Sequence, residues 1–252
     1  MTDQHPGDWL SVPLVRRESA AQVVYRLLRE AVVNHELAPS ARLLEPELAL
    51  HLSVSRTPVR EALRALEADG FVKRLPNGGL VVAGVDARDV RELYAVRMAL
   101  ESLAAREAAH RATMHNAREL VSILDEADRL ADHSSSVIIL GERFHRRISE
   151  VADNLRAADL LEKLHDHIVR YRLATAVESR ERQDSARQEH RRVAEAILEG
   201  SPAAAERAMR AHVQREGSFL LKALTDKASG ELAAPAGRPG TARLRPALAD
   251  LC

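Results

Sequence analysis

Residues 53–70 read SVSRTPVREALRALEADG. Arg56, Arg60 and Arg64 recur at every fourth position, so on a helix they form one stripe. Val59, Ala62, Leu63 and Leu66 share a neighbouring face, roughly 100° round, that must pack inward. Ser55 stands where an N-cap belongs, and Pro58 falls in the first turn, where a missing N–H costs little. Gly70 ends the segment. The stretch is a helix that can dock while its arginines stay outside.

Upstream, Ser19–Asn34 is amphipathic, with Val23, Val24, Leu27, Leu28 and Ala31 to one side, and Pro39-Ser40 breaks it. A short helix over Glu45–His51 and a turn at Leu52-Ser53-Val54 lead into the arginine helix. Downstream the period changes. Phe71–Leu75 and Leu80–Val82 read as two strands, with Asn77-Gly78 supplying the turn. Helix, helix, turn, helix, hairpin within about 65 residues outlines a winged helix-turn-helix.

That outline gives the arginines a chemistry. The first half of the helix can enter a DNA major groove, ~12 Å wide, with Arg56 and Arg60 near guanine edges or phosphates. Arg64 continues the stripe, while Ser55 and Thr57 suit phosphate at a positive helix N-terminus. Lys73, Arg74, Asn77 and Gly78 would follow the backbone or minor groove. The competing reading of the arginines alone is a solvated face with i,i+4 pairing.

From Asp86 onward the pattern is helical, in segments at 86–112, 114–131, 137–151, 155–177, 182–200 and 202–224. Ser201-Pro202 is an N-cap followed by a first-position proline. The reading therefore divides the chain into a flexible lead-in (1–16), a winged helix-turn-helix domain (17–85), an all-helical effector-binding and dimerisation domain (86–225) and a disordered Ala/Gly/Pro-rich tail (226–252). The predicted fold class is mainly α.

Composition bounds the function. Lys plus Arg and Asp plus Glu both number 37, so a protein basic throughout, coating nucleic acid without preference, is excluded. Aromatics are 3%, which leaves aliphatic side chains to build the core. Cys252 is the sole cysteine, so no internal disulfide forms, as suits a reducing compartment. No signal pattern opens the chain and no apolar run approaches ~18–20 residues, so the expectation is a cytoplasmic protein with no membrane partner.

Histidines mark a second site. His190 is in register with Ala186, Val193 and Ile197, His212 with Ala205 and Met209, and His145 neighbours Phe144 and Ile148. Arg97 shares a face with Leu93, Leu100 and Ala104. Buried, these groups need partners. Imidazoles meeting at ~2.0–2.1 Å from a cation suit zinc, nickel or a similar divalent metal, and an inward arginine suits a carboxylate. Any single one of them is more often a hydrogen-bonded core histidine.

LLEPELALHLSVSRTPVREALRALEADGFVKRLPNGGLVV (43–82), and VSRTPVREAL within it, resembles the DNA-binding domain of the GntR superfamily of bacterial transcription regulators. The resemblance implies that Arg56, Thr57 and Arg60 contact operator DNA, with the wing at Asn77 and Gly78 in support. Some relatives carry an arginine where this chain has Pro46. LYAVRMALESLAAREAA (93–109), FHRRISEVADN (144–154) and EHRRVAEAILEGSPAAAERAMRAH (189–212) resemble the all-helical FCD ligand domain of the FadR-type branch. That likeness implies a homodimer on an inverted-repeat double-stranded operator, most often a repressor released by a small carboxylate effector. It implies a divalent metal on His145, His190 and His212, with an Asp four residues before the first histidine. Here that position is Gly141, so Glu142, a water or the effector's own carboxylate would fill the place. Effector contacts fall on Arg97, Glu142, Asn154 and Arg172, with Asn154 equally suited to capping the next helix. His165, His167, Arg170 and Arg172 read as mostly surface, with Arg172 also a pocket candidate. A metal-dependent hydrolase built on the three histidines is the second reading, lacking an evident general base beyond Glu142.

Overall fold

A computed structural model describes residues 18–131, 134–174 and 180–231. The described part is mainly α, with nine helices and one two-stranded sheet among the described residues. It divides into two compact units, one running through Val32 and Glu36–Ala83, the other comprising Val33–His35 and continuing from Gly84.

In the first unit, α1 (Ala20–Val33), α2 (Glu45–His51) and α3 (Arg56–Ala68) precede β1 (Val72–Arg74) and β2 (Leu80–Val82). The inward residues read from the sequence are the buried ones: Val24, Leu27, Leu28 and Ala31 on α1, and Val59, Ala62, Leu63 and Leu66 on α3. Ser53, at φ +52°, takes the left-handed place in the turn between α2 and α3. Helix α3 ends in a paired 6→1 and 5→2 closure, Phe71 N–H to Leu66 O (2.9 Å) and Gly70 N–H to Glu67 O (3.2 Å). Gly70 at φ +80° permits it, and buried Phe71 starts the wing. The hairpin is antiparallel, with Val72 opposite Val82 and Arg74 opposite Leu80. A bridge from Arg42 to Val81 adds a third extended segment that the sequence reading did not anticipate.

The second unit holds α4 (Ala87–Arg111), α5 (Met114–Arg129), α6 (Ser134–Ala152), α7 (Leu155–Ala174), α8 (Arg180–Leu198) and α9 (Pro202–Glu231). Helix α4 packs most extensively on α9, and α8 on α9 next. Small residues make this close: Ala104, Ala105 and Ala108 are buried on α4, and Ala205 on α9. At Gly217 a Cβ would lie 2.9 Å from the Tyr94 ring, so only glycine lets α9 approach there. Asp86 caps α4 through Arg88 and Asp89 N–H, and Thr113 forms a capping box with Asn116 on α5.

Several boundaries differ from the sequence reading by a few residues. Helix α6 begins at Ser134 and α8 at Arg180, earlier than 137 and 182. Helix α9 runs to Glu231, past the expected start of the tail at 226. Extending a formed helix adds one hydrogen bond per residue without a new nucleus, and Lys227-Ala228 are good helix formers. The lead-in 1–16 and residues 232–252 of the expected tail lie outside the described residues. No helix among the described residues is long and apolar enough to cross a membrane.

Candidate functional site

Helix α3 presents Arg56, Thr57, Arg60 and Arg64 to solvent, with Ser55 exposed before them. Ser55 occupies the N-cap position, yet its side chain makes no capping hydrogen bond. Arg60 donates to Glu45 at the start of α2, Nε at 3.1 Å and Nη2 at 2.9 Å from Oε2. This pairing draws the Glu45 carboxyl below the usual range. In the wing, Arg74 donates to Glu67, Nη2 at 2.7 Å, and Lys73 is exposed. At the tip, Asn77 Oδ1 accepts from Gly79 N–H at 3.2 Å, and Gly78 has φ +83°. The expected DNA-facing residues thus share one unit, with Arg60 and Arg74 each already carrying a carboxylate.

The three histidines come together from α6, α8 and α9. Nε2 of His190 lies 3.2 Å from Nε2 of both His145 and His212, which are themselves 3.2 Å apart. His190 and His212 are buried, and His145 nearly so. Behind the triangle, Glu101 Oε2 is 2.5 Å from His145 Nδ1, and Glu189 Oε2 is hydrogen-bonded to His212 Nδ1 at 2.8 Å. Burial pushes His190 well below the ordinary histidine range, reinforced by the neighbouring imidazoles and arginines. Burial also lowers His212, against the opposing pull of Glu189.

The arrangement fits a divalent cation. Carboxylates at Nδ1 of His145 and His212 place the ring protons there, turning both Nε2 lone pairs inward. One proton on His190 cannot satisfy two facing lone pairs at once. A metal with bonds of ~2.0–2.1 Å at tetrahedral angles needs nitrogens about 3.3–3.4 Å apart, close to the observed edges. Neutral imidazoles are also what a metal requires.

Around this centre runs an ion network that sequence reasoning only partly foresaw. Arg97, 0% exposed, has Nε 2.5 Å from Glu101 and Nη1 2.8 Å from Glu216. Burial alone would raise both carboxyls, but Arg97 and further positive neighbours hold each at about 2. Glu142 turns to Arg172, with His165 Nδ1 at 3.4 Å, and does not join the histidine cluster. A Cβ at Gly141 would lie 3.4 Å from His190 Cε1, so position 141 does border the centre. Asn154 serves as a cap, its Oδ1 accepting from Ala157 N–H at 3.1 Å. Beside His145 opens a cavity of about 120 Å³, lined among others by Glu101, Glu142, Leu161, His165 and Ile168.

One expectation is overturned. Arg170, read as mostly surface, is buried at 1% exposure, and Arg172, read as mostly surface yet a candidate effector contact, is largely enclosed, its side chain 11% exposed. Leu161, His165, Ile168 and Arg172 lie on one stripe of α7, so the signal was there in the register. Glu101, Glu189 and Glu216 were missed altogether. Their signal was spacing: Glu101 follows Arg97 by four residues, Glu216 follows His212 by four, and Glu189 precedes His190 directly.

Comparison with known proteins agrees with both units. Residues 20–82 match the family of bacterial regulatory proteins named gntR, and residues 92–215 match the FCD domain. The HTH-type transcriptional regulator YdhC of Bacillus subtilis is 29% identical over 80% of this chain and 91% of its own length. The HTH-type transcriptional repressor RspR of Escherichia coli is 31% identical over 77% of this chain and 85% of its own. The solved E. coli McbR/YncC shares the fold, with a TM-score of 0.64 at 20% identity, over 81% of this chain and 98% of that one. With a winged helix-turn-helix in front of an all-helical ligand domain, the chain belongs to the GntR family of bacterial transcription regulators, in its FCD-containing branch.

Proposed function

We propose that the protein is a metal-dependent, ligand-responsive repressor that binds an inverted-repeat operator as a homodimer and releases it when a small carboxylate occupies the helical domain. The observation that carries this reading is the 3.2 Å triangle of Nε2 atoms in the ligand domain of a DNA-binding protein. His145, His190 and His212 would hold a divalent cation, zinc or nickel by donor set. When bound, that cation supplies a positive anchor for a carboxylate. The cavity beside His145, about 120 Å³, is smaller than the ~300–1,000 Å³ of drug-sized sites and suits a small acid. The repressor sense draws on relatives, since RspR is itself named a repressor.

The chain's own residues divide the work. Arg56, Arg60 and Arg64 read bases or phosphates from α3, Ser55 and Thr57 seat the helix N-terminus on the backbone, and Lys73, Arg74, Asn77 and Gly78 brace the wing. In the pocket, Arg97 and Arg172 already hold carboxylates, so an acidic effector exchanges with Glu142 or Glu216 rather than finding an unoccupied guanidinium. Glu142 and Arg172 thereby link effector binding to α6 and α7. A homodimer suits α4, whose outer face carries exposed Ala95, Val96, Ala99 and Leu103 in helical register.

The test is selection of bound sequences from random duplexes, followed by titration of the selected site. An inverted repeat whose affinity falls steeply with salt, and falls again on adding metal plus a small carboxylic acid, is the expected result. Recovery of no preferred sequence would refute the operator reading. An operator complex indifferent to every metal and acid tried would refute the effector reading.

A further inference from the structure

We propose that Glu216 is the carboxylate ligand that completes the three-histidine centre. The inference rests on the metal reading above and adds a residue to it. Glu216 follows His212 by one turn of α9, so both side chains leave the same face of the helix. Its Oε2 lies 3.8 Å from His212 Nε2, the nitrogen that faces His145 and His190. The side chain is buried, with Oε2 accepting from Arg97 Nη1 at 2.8 Å and Oε1 facing Arg172 Nε at 3.3 Å.

The other nearby carboxylates are committed elsewhere. Glu101 and Glu189 stand behind the imidazoles, at Nδ1 of His145 and His212, where they orient rings and cannot reach an ion on the Nε2 side. Glu142 is engaged by Arg172 and His165. Position 141 borders His190 but carries no side chain. Glu216 therefore supplies, from α9, the negative ligand that three neutral imidazoles lack. Donor atoms around one small cation stand about 3.0–3.4 Å apart, so the 3.8 Å edge to His212 is near that spacing. The carboxylate, outside the cluster of the three histidines as it stands, must rotate about its side-chain torsions toward His145 and His190 to complete the sphere. Arg97, with Nη1 at 2.8 Å, and Arg172, with Nε at 3.3 Å, hold the carboxylate in readiness beside the centre.

The experiment uses the full chain stripped with chelator and reloaded with zinc(II) or cobalt(II). Affinity is read by chelator competition and the coordination sphere by cobalt visible absorption. Glu216→Gln should weaken binding at least about tenfold and alter the cobalt bands, because a ligand and not merely a neighbour is lost. Adding Gly141→Asp to that variant should recover most of the affinity, since it restores a carboxylate against His190. Wild-type affinity and bands in Glu216→Gln would overturn the proposal, as would weakened affinity with unchanged bands and no recovery through Gly141→Asp. Should Glu216→Gln fail to fold, Glu216→Asp keeps the charge between the arginines but withdraws the oxygens by one methylene, and the same two readouts apply. A wild-type chain that binds neither metal overturns the metal reading itself, an outcome distinct from a Glu216 variant that binds like wild type.

Discussion

The guanidinium of Arg60 on α3 is clamped by the carboxylate of Glu45 on α2, through Nε at 3.1 and 3.2 Å and Nη2 at 2.9 Å. A fork held in one orientation loses less freedom when it meets a base edge, and the carboxylate beside it repels phosphate. Arg60→Ala should weaken operator binding by roughly tenfold to a hundredfold while leaving the fold intact. Glu45→Gln should tighten binding to random duplex and narrow the ratio between operator and random DNA. Fluorescence anisotropy at one fixed salt concentration reads both; an unchanged ratio in Glu45→Gln removes the clamp from the account of specificity.

The histidine centre predicts its own dependence on the carboxylates behind it. His190→Ala together with His212→Ala should abolish bound metal and the rise in Tm that metal confers on the wild type. Glu189→Gln should leave all three imidazoles in place but cost about ten- to a hundredfold in metal affinity, because the His212 tautomer is no longer held. Elemental analysis and thermal melts with and without zinc decide it. Full metal content in the double variant would end the three-histidine assignment.

Packing of α9 on α4 turns on Gly217. A methyl group there meets Tyr94 Cδ1 at 2.9 Å and Cβ at 3.2 Å, atoms near the root of the side chain that cannot swing aside. Gly217→Ala gains helix propensity but overpacks the interface, for a net loss of about 1–3 kcal/mol. Urea unfolding should show a lower midpoint with an unchanged slope. A midpoint at or above wild type would mean the helices separate cheaply at this point.

Tyr25 links α1 to the end of α3 through its hydroxyl, 2.6 Å from Asp69 Oδ2. Burial and that carboxylate raise its pKa to about 12, above an unfolded value near 10. The raised group contributes stability that is fully present below pH ~10 and is lost as pH climbs through the folded value, since the unfolded chain releases the proton first. Thermal melts between about pH 10 and 12 should therefore fall more steeply in wild type than in Tyr25→Phe. Parallel curves would assign the alkaline limb to other tyrosines.

The division between what was legible and what was not follows the range of the interactions. The arginine stripe of α3, its inward face of Val59, Ala62, Leu63 and Leu66, the Gly70 stop and the Asn77-Gly78 turn are relations between residues a few positions apart, so periodicity and turn chemistry determine them in the sequence itself. The same is true of Pro202 opening α9 and of the histidines lying on apolar faces. Only the tertiary structure decided that three imidazoles separated by 22, 45 and 67 residues meet at their Nε2 atoms. It decided equally that Glu45 reaches Arg60, that Arg170 is interior and that Arg172 is largely enclosed. A helix register states which way a side chain points but not what stands opposite. The crossing of α6, α8 and α9 supplies that, because close packing of side chains sets how near and at what angle helices pass.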